Sequence, residues 1–157
     1  MNQEPLRLNL GCGPFTIEGF TNIDIKQDAP GVEVMDLTEL PWKWDGESVD
    51  VIVSYHFLQE LPWRQLVPLL REAYRVLKPE GVMRIGVPHI DSGYDLDFLL
   101  GWGNINLFSK ELLTKVYKQI GFSEVVQCEF NTTESKYREV FIGDNRPMES
   151  LFLEAIK

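Results

Sequence analysis

The sequence predicts an α/β fold in one domain, residues 1–157, built on a doubly wound, mostly parallel sheet of seven strands. Two observations predict it. Short apolar and β-branched runs alternate with helical patterns along the chain, and the runs at 49–55 and 81–87 are almost continuously apolar. Such runs are typical of parallel strands that are buried on both faces. A chain of this length buries about 70% of its unfolded surface, which is enough for one core.

Seven segments carry the strand pattern, and two carry the helical one. A helix is predicted over residues 63–78, with Pro68 at a kink or in a new first turn, and it stops at Pro-Glu-Gly, residues 79–81. A second helix is predicted between Ser109, a natural N-cap, and Gly121, a residue suited to the position just past a helix end. The predicted strands cover residues 6–10, 21–25, 32–36, 49–55, 81–87, 124–130 and 151–156.

The connection between the first two strands is short. Asp24 comes only eleven positions after Gly13, whereas a parallel crossover that contains a helix needs about a dozen residues or more. We therefore expect the first crossover helix to be reduced or missing. Dinucleotide-binding proteins hold their pyrophosphate at the N-terminus of that helix and need a third glycine there, and Phe15 and Thr16 supply neither. The sequence favours a cofactor without phosphates over NAD or FAD.

The ends of the first three strands carry residues that suit a nucleoside. Gly11 and Gly13 follow the first strand, and the missing Cβ atom lets a ligand approach their backbone closely. Asp24 and Asp36 end the second and third strands. Ligands of such sheets bind beyond the carboxyl ends of the strands, and glycines followed by carboxylates are a pattern of nucleoside recognition. The sequence therefore predicts a nucleoside site at this edge.

Composition excludes several classes of protein. The net charge of −9 repels phosphate backbones, so we expect no nucleic-acid partner. Cys12 and Cys128 are the two cysteines, and without a CxxC pair they predict neither a metal site nor a disulfide framework. The sequence has no apolar run long enough to span a bilayer and no signal-peptide pattern at its start. We expect a cytoplasmic protein with no membrane partner.

Six sequence motifs follow one another along this chain: LNLGCGP at 8–14, NIDI at 22–25, DLT and LPW within 36–42, S-x-H-x-L at 54–58, RVLKPEG at 75–81 and SLFLEA at 150–155. Taken in order, they resemble the motifs of class I S-adenosylmethionine-dependent methyltransferases, in particular small single-domain members. The resemblance covers nearly the whole chain, and the ordered set is far more specific than any single motif. It implies a Rossmann-like methyltransferase fold with an antiparallel last strand, and S-adenosylmethionine as the cofactor.

The resemblance also implies roles for the residues at the first two strand ends. Gly11 and Gly13 pass close to the methionine part of the cofactor, and backbone groups near Cys12 form part of that pocket. Asp24 accepts hydrogen bonds from the two ribose hydroxyls. Bonds of this kind involve a charged acceptor, so they are stronger than neutral ones. Cys12 itself is interpreted as a small residue that fills space beside the loop.

The same resemblance assigns the third and fourth strand ends. Asp36 accepts from the exocyclic amine of adenine, while the backbone N–H of Leu37 meets a ring nitrogen. Ser54, Tyr55 and His56 border the methyl group. These assignments place the adenine at one end of the site and the reacting methyl group at the other.

Chemistry at an oxygen or nitrogen acceptor can need a base, and His56 is the predicted one, since an imidazole accepts a proton near neutral pH. Many relatives have a second histidine four residues on, where this chain has Glu60, so Glu60 either orients His56 or marks a changed acceptor. His89 and Asp91 follow the fifth strand, where related enzymes place acceptor contacts. The irregular stretch 91–108, with its aromatic residues, is a candidate lid.

The sequence thus predicts methyl transfer from S-adenosylmethionine to an oxygen or nitrogen of a small-molecule or sugar-like acceptor. A non-catalytic module that binds S-adenosylmethionine through the same fold is one alternative, left open by Glu60. A nucleotide-dependent oxidoreductase is a second alternative, opposed by the missing third glycine.

Overall fold

A computed structural model describes residues 4–101, 103–133, 135–137 and 143–157. Within them, seven strands form one sheet in the order β3-β2-β1-β4-β5-β7-β6. The strands are β1 (Arg7–Leu10), β2 (Thr21–Asp24), β3 (Val32–Val34), β4 (Val49–Tyr55), β5 (Leu77–Pro88), β6 (Glu124–Cys128) and β7 (Ser150–Ile156). The helices are α1 (Trp63–Val76), α2 (Leu96–Leu100) and α3 (Lys110–Ile120), and a 3-10 turn covers Leu58–Glu60.

The sheet confirms the predicted α/β fold and its mixed strand directions. β3, β2, β1, β4 and β5 are parallel neighbours, while β7 lies antiparallel between β5 and β6. The chain leaves β3 at one edge and returns beside β1 as β4, so the strand order reverses between β1 and β4. In open α/β sheets, ligands bind beyond the carboxyl ends of the strands at such a reversal.

The first crossover contains no helix, as predicted. The side chains of two buried asparagines provide hydrogen-bond partners for its backbone groups instead. The Asn22 side chain accepts from the Ile17 N–H (2.7 Å, N to O) and donates to the Ile17 carbonyl (3.1 Å). Asn9 donates to the Phe15 carbonyl (3.0 Å) and to the Asn22 amide oxygen (2.9 Å). Because buried backbone groups need partners, these two side chains allow residues 11–20 to cross the sheet as turns.

The two faces of the sheet are covered differently. On one face, α1 and α3 pack against each other and against a single large hydrophobic cluster. On the other face, a small apolar cluster adjoins Tyr55 of β4 and Tyr137 of a loop. Arg84 of β5 is also buried, with no exposed side-chain surface, in ion pairs with Asp144 and Glu154. The small cluster consists of Ile17, Val51, Val53 and Val82.

Some element boundaries differ from the prediction. α1 ends at Val76 and β5 begins at Leu77, because a proline disfavours the helical conformation of the residue before it and Pro79 follows Lys78. The stretch 91–108, expected to be irregular, contains α2, whose N-cap Asp95 accepts from the Phe98 N–H (2.8 Å). Among the described residues, no helix has the length and apolar character needed to cross a membrane.

Candidate functional site

A cavity of about 570 Å³ opens at the carboxyl ends of β1, β2 and β4, beside the turn that follows β3. Most of the residues that the sequence singles out for a site line it together. The structure therefore brings the glycine turn and the two aspartates to one place, as the nucleoside hypothesis requires. The predicted residues on its walls are Gly11, Cys12, Gly13, Asp24, Asp36, Leu37, Tyr55, His56 and Glu60.

The glycine turn after β1 has a conformation that L-residues rarely adopt. Gly11 has φ +64° and Gly13 has φ +49°, in the left-handed region where only glycine is unstrained. A Cβ atom on Gly11 would lie 2.1 Å from Cγ of Phe57, whereas a Cβ on Gly13 would meet nothing within 4 Å. Gly11 is thus required by packing as well as by its backbone, and Gly13 only by its backbone.

We predict that Gly11→Ala lowers the free energy of unfolding by about 2–4 kcal/mol, since it adds a clash with the Phe57 ring to the strain of a left-handed residue. Gly13→Ala is the matched control and should cost only the strain, about 1–2 kcal/mol. Urea unfolding of both variants measures the difference. Equal losses for the two would contradict this account of the turn.

Asp24 holds the glycine turn against β2. Its Oδ2 accepts from the Gly13 N–H (2.8 Å) and its Oδ1 accepts from the Lys26 N–H (3.2 Å). The Cys12 N–H donates to the Ile23 carbonyl (3.0 Å), which fixes the turn one residue earlier. The Asp24 carboxylate therefore lies against the glycine turn, and the nucleoside hypothesis places the ligand beside the backbone of that turn.

Asp36 is ordered by its own turn. Its Oδ1 accepts from both the N–H (2.8 Å) and the hydroxyl (2.7 Å) of Thr38, and these two hydrogen bonds lower the pKa of the carboxyl group. The carbonyl of Leu37 accepts from the indole N–H of Trp42 (3.0 Å), which ties this turn to the core. Asp36 is thus held as a carboxylate at the cavity wall.

Cys12 lines the cavity as a thiol. Burial and the negative charge of Asp24 raise its pKa to about 11, and only a thiolate is a strong nucleophile. This agrees with its interpretation as a small packing residue.

The structure gives His56 a different environment from the one expected of a base. Its Nε2 lies 2.8 Å from the Ser150 hydroxyl oxygen, and its Nδ1 is buried without a hydrogen-bond partner. Burial and the positive charge of Arg146 lower the pKa of His56 to about 4. No described hydrogen bond or ion pair joins it to Glu60, so the predicted orienting contact between His56 and Glu60 is not present; Ser150 orients the ring instead.

Glu60 lies on the cavity wall with chemistry of its own. Burial and the negative charge of Asp24 raise its pKa, although the positive charge of Arg146 opposes this. None of the hydrogen bonds or ion pairs described for this structure uses its carboxylate. Asp24 and Asp36, in contrast, already accept backbone or hydroxyl donors. Of these three carboxylates, Glu60 is the one with uncommitted oxygens and increased basicity.

Three predicted residues do not line the cavity. Ser54 is fully buried, and its hydroxyl donates to the Leu10 carbonyl (3.1 Å), because this side of β4 faces the hydrophobic cluster under α1 and not the cavity. His89 and Asp91 lie beyond the end of β5, where the His89 Nε2 is 3.6 Å from Asp91 Oδ2. The N–H of His89 donates to the Glu149 carbonyl (2.9 Å), which fixes the residue away from the cavity.

Other cavity residues escape the sequence reasoning. Phe57 covers Gly11, and its position directly after His56 was a usable signal. Asn145 and Arg146 reach the cavity from the turn before β7. No local pattern assigns them a role in the site, because contacts with residues far away in the sequence bring them there.

A known family matches part of this chain. A family model described as a methyltransferase domain matches residues 20–85. A search of curated proteins finds no match to this chain.

Solved structures with the same fold cover almost the whole chain. A SAM-dependent methyltransferase from Archaeoglobus fulgidus has a TM-score of 0.74 and 19% identity, over 98% of this chain and 86% of that one. A SAM-dependent methyltransferase from Thermotoga maritima has a TM-score of 0.69 and 20% identity, over 99% and 83%. A chain from the Haloferax volcanii complex of a methyltransferase with the activator Trm112 has a TM-score of 0.69 and 17% identity, over 97% and 82%. At these identities the likeness shows the fold.

Proposed function

We propose that this chain is a class I S-adenosylmethionine-dependent methyltransferase with S-adenosylmethionine as cofactor, because a methyltransferase-domain model matches residues 20–85 and solved methyltransferases share its fold. We also propose that it methylates an oxygen or nitrogen atom of a small-molecule acceptor. One observation carries the proposal. A single cavity of about 570 Å³ contains the glycine turn, Asp24 and Asp36, and a small ligand site is typically a cleft of about 300–1,000 Å³. The net charge of −9 supports a small molecule over a nucleic acid as acceptor.

The residues present fit the proposed cofactor. A nucleoside with vicinal hydroxyls needs a charged acceptor next to a backbone that it can approach closely, and Asp24 and Gly13 are in direct contact by a hydrogen bond of 2.8 Å. A Cβ atom built on Gly13 would meet nothing within 4 Å, so the space on that side of the turn is open. We propose that Asp24 binds the ribose, that Asp36 and the Leu37 N–H bind the adenine, and that the turn around Cys12 follows the methionine part.

S-adenosylmethionine supplies an electrophilic methyl group on a sulfonium. The protein's main contribution is alignment of the acceptor, and proximity and orientation lower a barrier by roughly 7–11 kcal/mol. We propose Glu60 as the group that takes the acceptor's proton, because its oxygens are uncommitted and burial and Asp24 raise its pKa. We then assign His56 a structural role, in which its contact with Ser150 holds the cavity wall beside the methyl group.

A thermal-shift comparison with S-adenosylhomocysteine, NAD and FAD tests the cofactor class. A ligand at 100 times its Kd stabilises a fold by about 2.7 kcal/mol, and we expect a shift with S-adenosylhomocysteine alone. A labelled methyl donor incubated with fractionated metabolite extract then reports on turnover. Stabilisation without transfer of label to any fraction would favour the non-catalytic binding module, and a shift only with NAD or FAD would remove the proposal.

A further inference from the structure

Two cations, Lys26 and Arg146, line the cavity among the described residues. Lys26 follows Asp24, to which its N–H donates, so it belongs to the end that we assign to the nucleoside. Arg146 is close enough to His56 and Glu60 for its charge to act on both. A positive charge therefore lies at the reacting end of the site, in a chain with a net charge of −9.

The backbone that carries Arg146 is anchored to the sheet immediately before it. Asp144 accepts from Nε of the fully buried Arg84, with 2.8 Å between nitrogen and oxygen. Arg146 itself has φ +48°, a left-handed conformation that costs a non-glycine residue free energy. Such residues persist where the surroundings determine the conformation, and they cluster at ligand sites.

The anchoring continues on the other side of Arg146. The carbonyl of Arg146 accepts from the Glu149 N–H (3.3 Å), which closes a tight turn. The Ser150 hydroxyl donates to the Asn145 carbonyl (3.4 Å) and pairs with His56 (2.8 Å). The turn is thus fixed to β5 before Arg146 and to the end of β4 after it. These two attachments hold the backbone of Arg146 at the cavity wall.

We propose that Arg146 binds an anionic group of the acceptor, a carboxylate or a phosphate, and so orients the acceptor's nucleophilic atom toward the methyl group and Glu60. This inference depends on the function proposed above. A guanidinium is planar and matches both anions with two parallel hydrogen bonds. In this structure the Arg146 Nη1 lies 3.5 Å from Glu149 Oε1, and 45% of the Arg146 side chain is exposed, so an anion that enters the cavity can reach this side chain.

The test uses isotope-labelled protein saturated with S-adenosylhomocysteine and titrated with methyl phosphate, with acetate in a second series at constant ionic strength. The Nε–H signal of Arg146, assigned by its absence in Arg146→Gln, reports on binding. We expect this signal to shift with at least one probe, and Arg146→Gln to raise the Kd of that probe roughly tenfold or more. Arg71→Gln is the matched control, since it removes the same charge from an exposed position on α1, and it should leave the Kd unchanged.

The outcomes separate this inference from the proposed function. If S-adenosylhomocysteine binds but neither probe shifts the Arg146 signal, or Arg71→Gln weakens the probe equally, the inference is overturned and the proposed function stands. If Arg146→Gln loses S-adenosylhomocysteine affinity and keeps the probe, Arg146 serves the cofactor and the inference is also overturned. Failure of the wild type to bind S-adenosylhomocysteine would instead remove the proposed function. The probes are also titrated against cofactor-free protein, so that anion binding by Arg146 is measured separately from cofactor binding.

Discussion

Arg84→Met is expected to lower the free energy of unfolding by about 3–5 kcal/mol, which is the cost of breaking a buried ion pair from one side. Arg84 is fully buried on the face of the sheet opposite α1 and α3, where Nη1 donates to Glu154 (2.8 Å) and Nε donates to Asp144 (2.8 Å). Burial disfavours the charge of Arg84, but the hydrogen bonds and charge of Asp144 raise its pKa well above its ordinary value. Methionine fills a similar volume and leaves two buried carboxylates without their cation.

A surface ion pair is the control for this prediction. Lys136 lies 3.1 Å from Glu80, and their side chains are 57% and 80% exposed, so Lys136→Met should cost less than about 1 kcal/mol. The double variant Arg84→Met/Glu154→Leu should be more stable than Arg84→Met alone, because it removes one of the unpaired charges. Chemical denaturation measures all three variants. A loss for Arg84→Met as small as that for Lys136→Met would show that the ion pairs do not stabilise the fold.

The seven strands and the mostly parallel sheet were predictable because strand and helix patterns depend on local sequence, whereas the order of the strands was not predicted. The polar character of the face covered by loops was harder to predict, although the alternation of polar and apolar residues along β1 and β7 indicates it. β1 reads Arg-Leu-Asn-Leu, and β7 places Glu154 between Leu153 and Ala155. These polar residues point to one face, where Asn9 bonds to Phe15 and Glu154 bonds to Arg84. A near-continuous apolar run in β4 masked this polar face.

The site was predictable to the extent that its residues lie at or near the ends of their own strands. Gly11, Gly13, Asp24 and Asp36 each end a strand or come within three residues of its end, and parallel strands bring their carboxyl ends together at one edge. The environment of His56 was not predictable, because Ser150 lies ninety-four positions further along the chain. Neighbours in sequence suggested a partner at the fourth following residue, whereas the antiparallel β7 supplies the partner that is present.

Asp24→Ala is expected to raise the Kd for S-adenosylhomocysteine roughly a hundredfold or more. In the proposed site this carboxylate accepts hydrogen bonds from two ribose hydroxyls, and a hydrogen bond to a charged group contributes about 1.5–3 kcal/mol. The same side chain accepts from the Gly13 N–H (2.8 Å), so the alanine variant also releases the glycine turn. Asp24→Asn keeps an oxygen for that N–H and removes the charge, so we expect its Kd to lie between those of the wild type and the alanine variant.

Asp28→Ala is the matched control for Asp24, since Asp28 is another acid on the cavity wall and the proposal gives it no contact with the ribose. Its Kd should stay within about threefold of the wild type, which isothermal titration calorimetry resolves readily. Urea unfolding of each variant separates lost affinity from lost stability, because a folded Asp24→Ala protein that binds weakly has lost a ligand contact. If Asp24→Ala binds S-adenosylhomocysteine as tightly as Asp28→Ala does, the ribose is held elsewhere and the assignment of the nucleoside to this cavity fails with it.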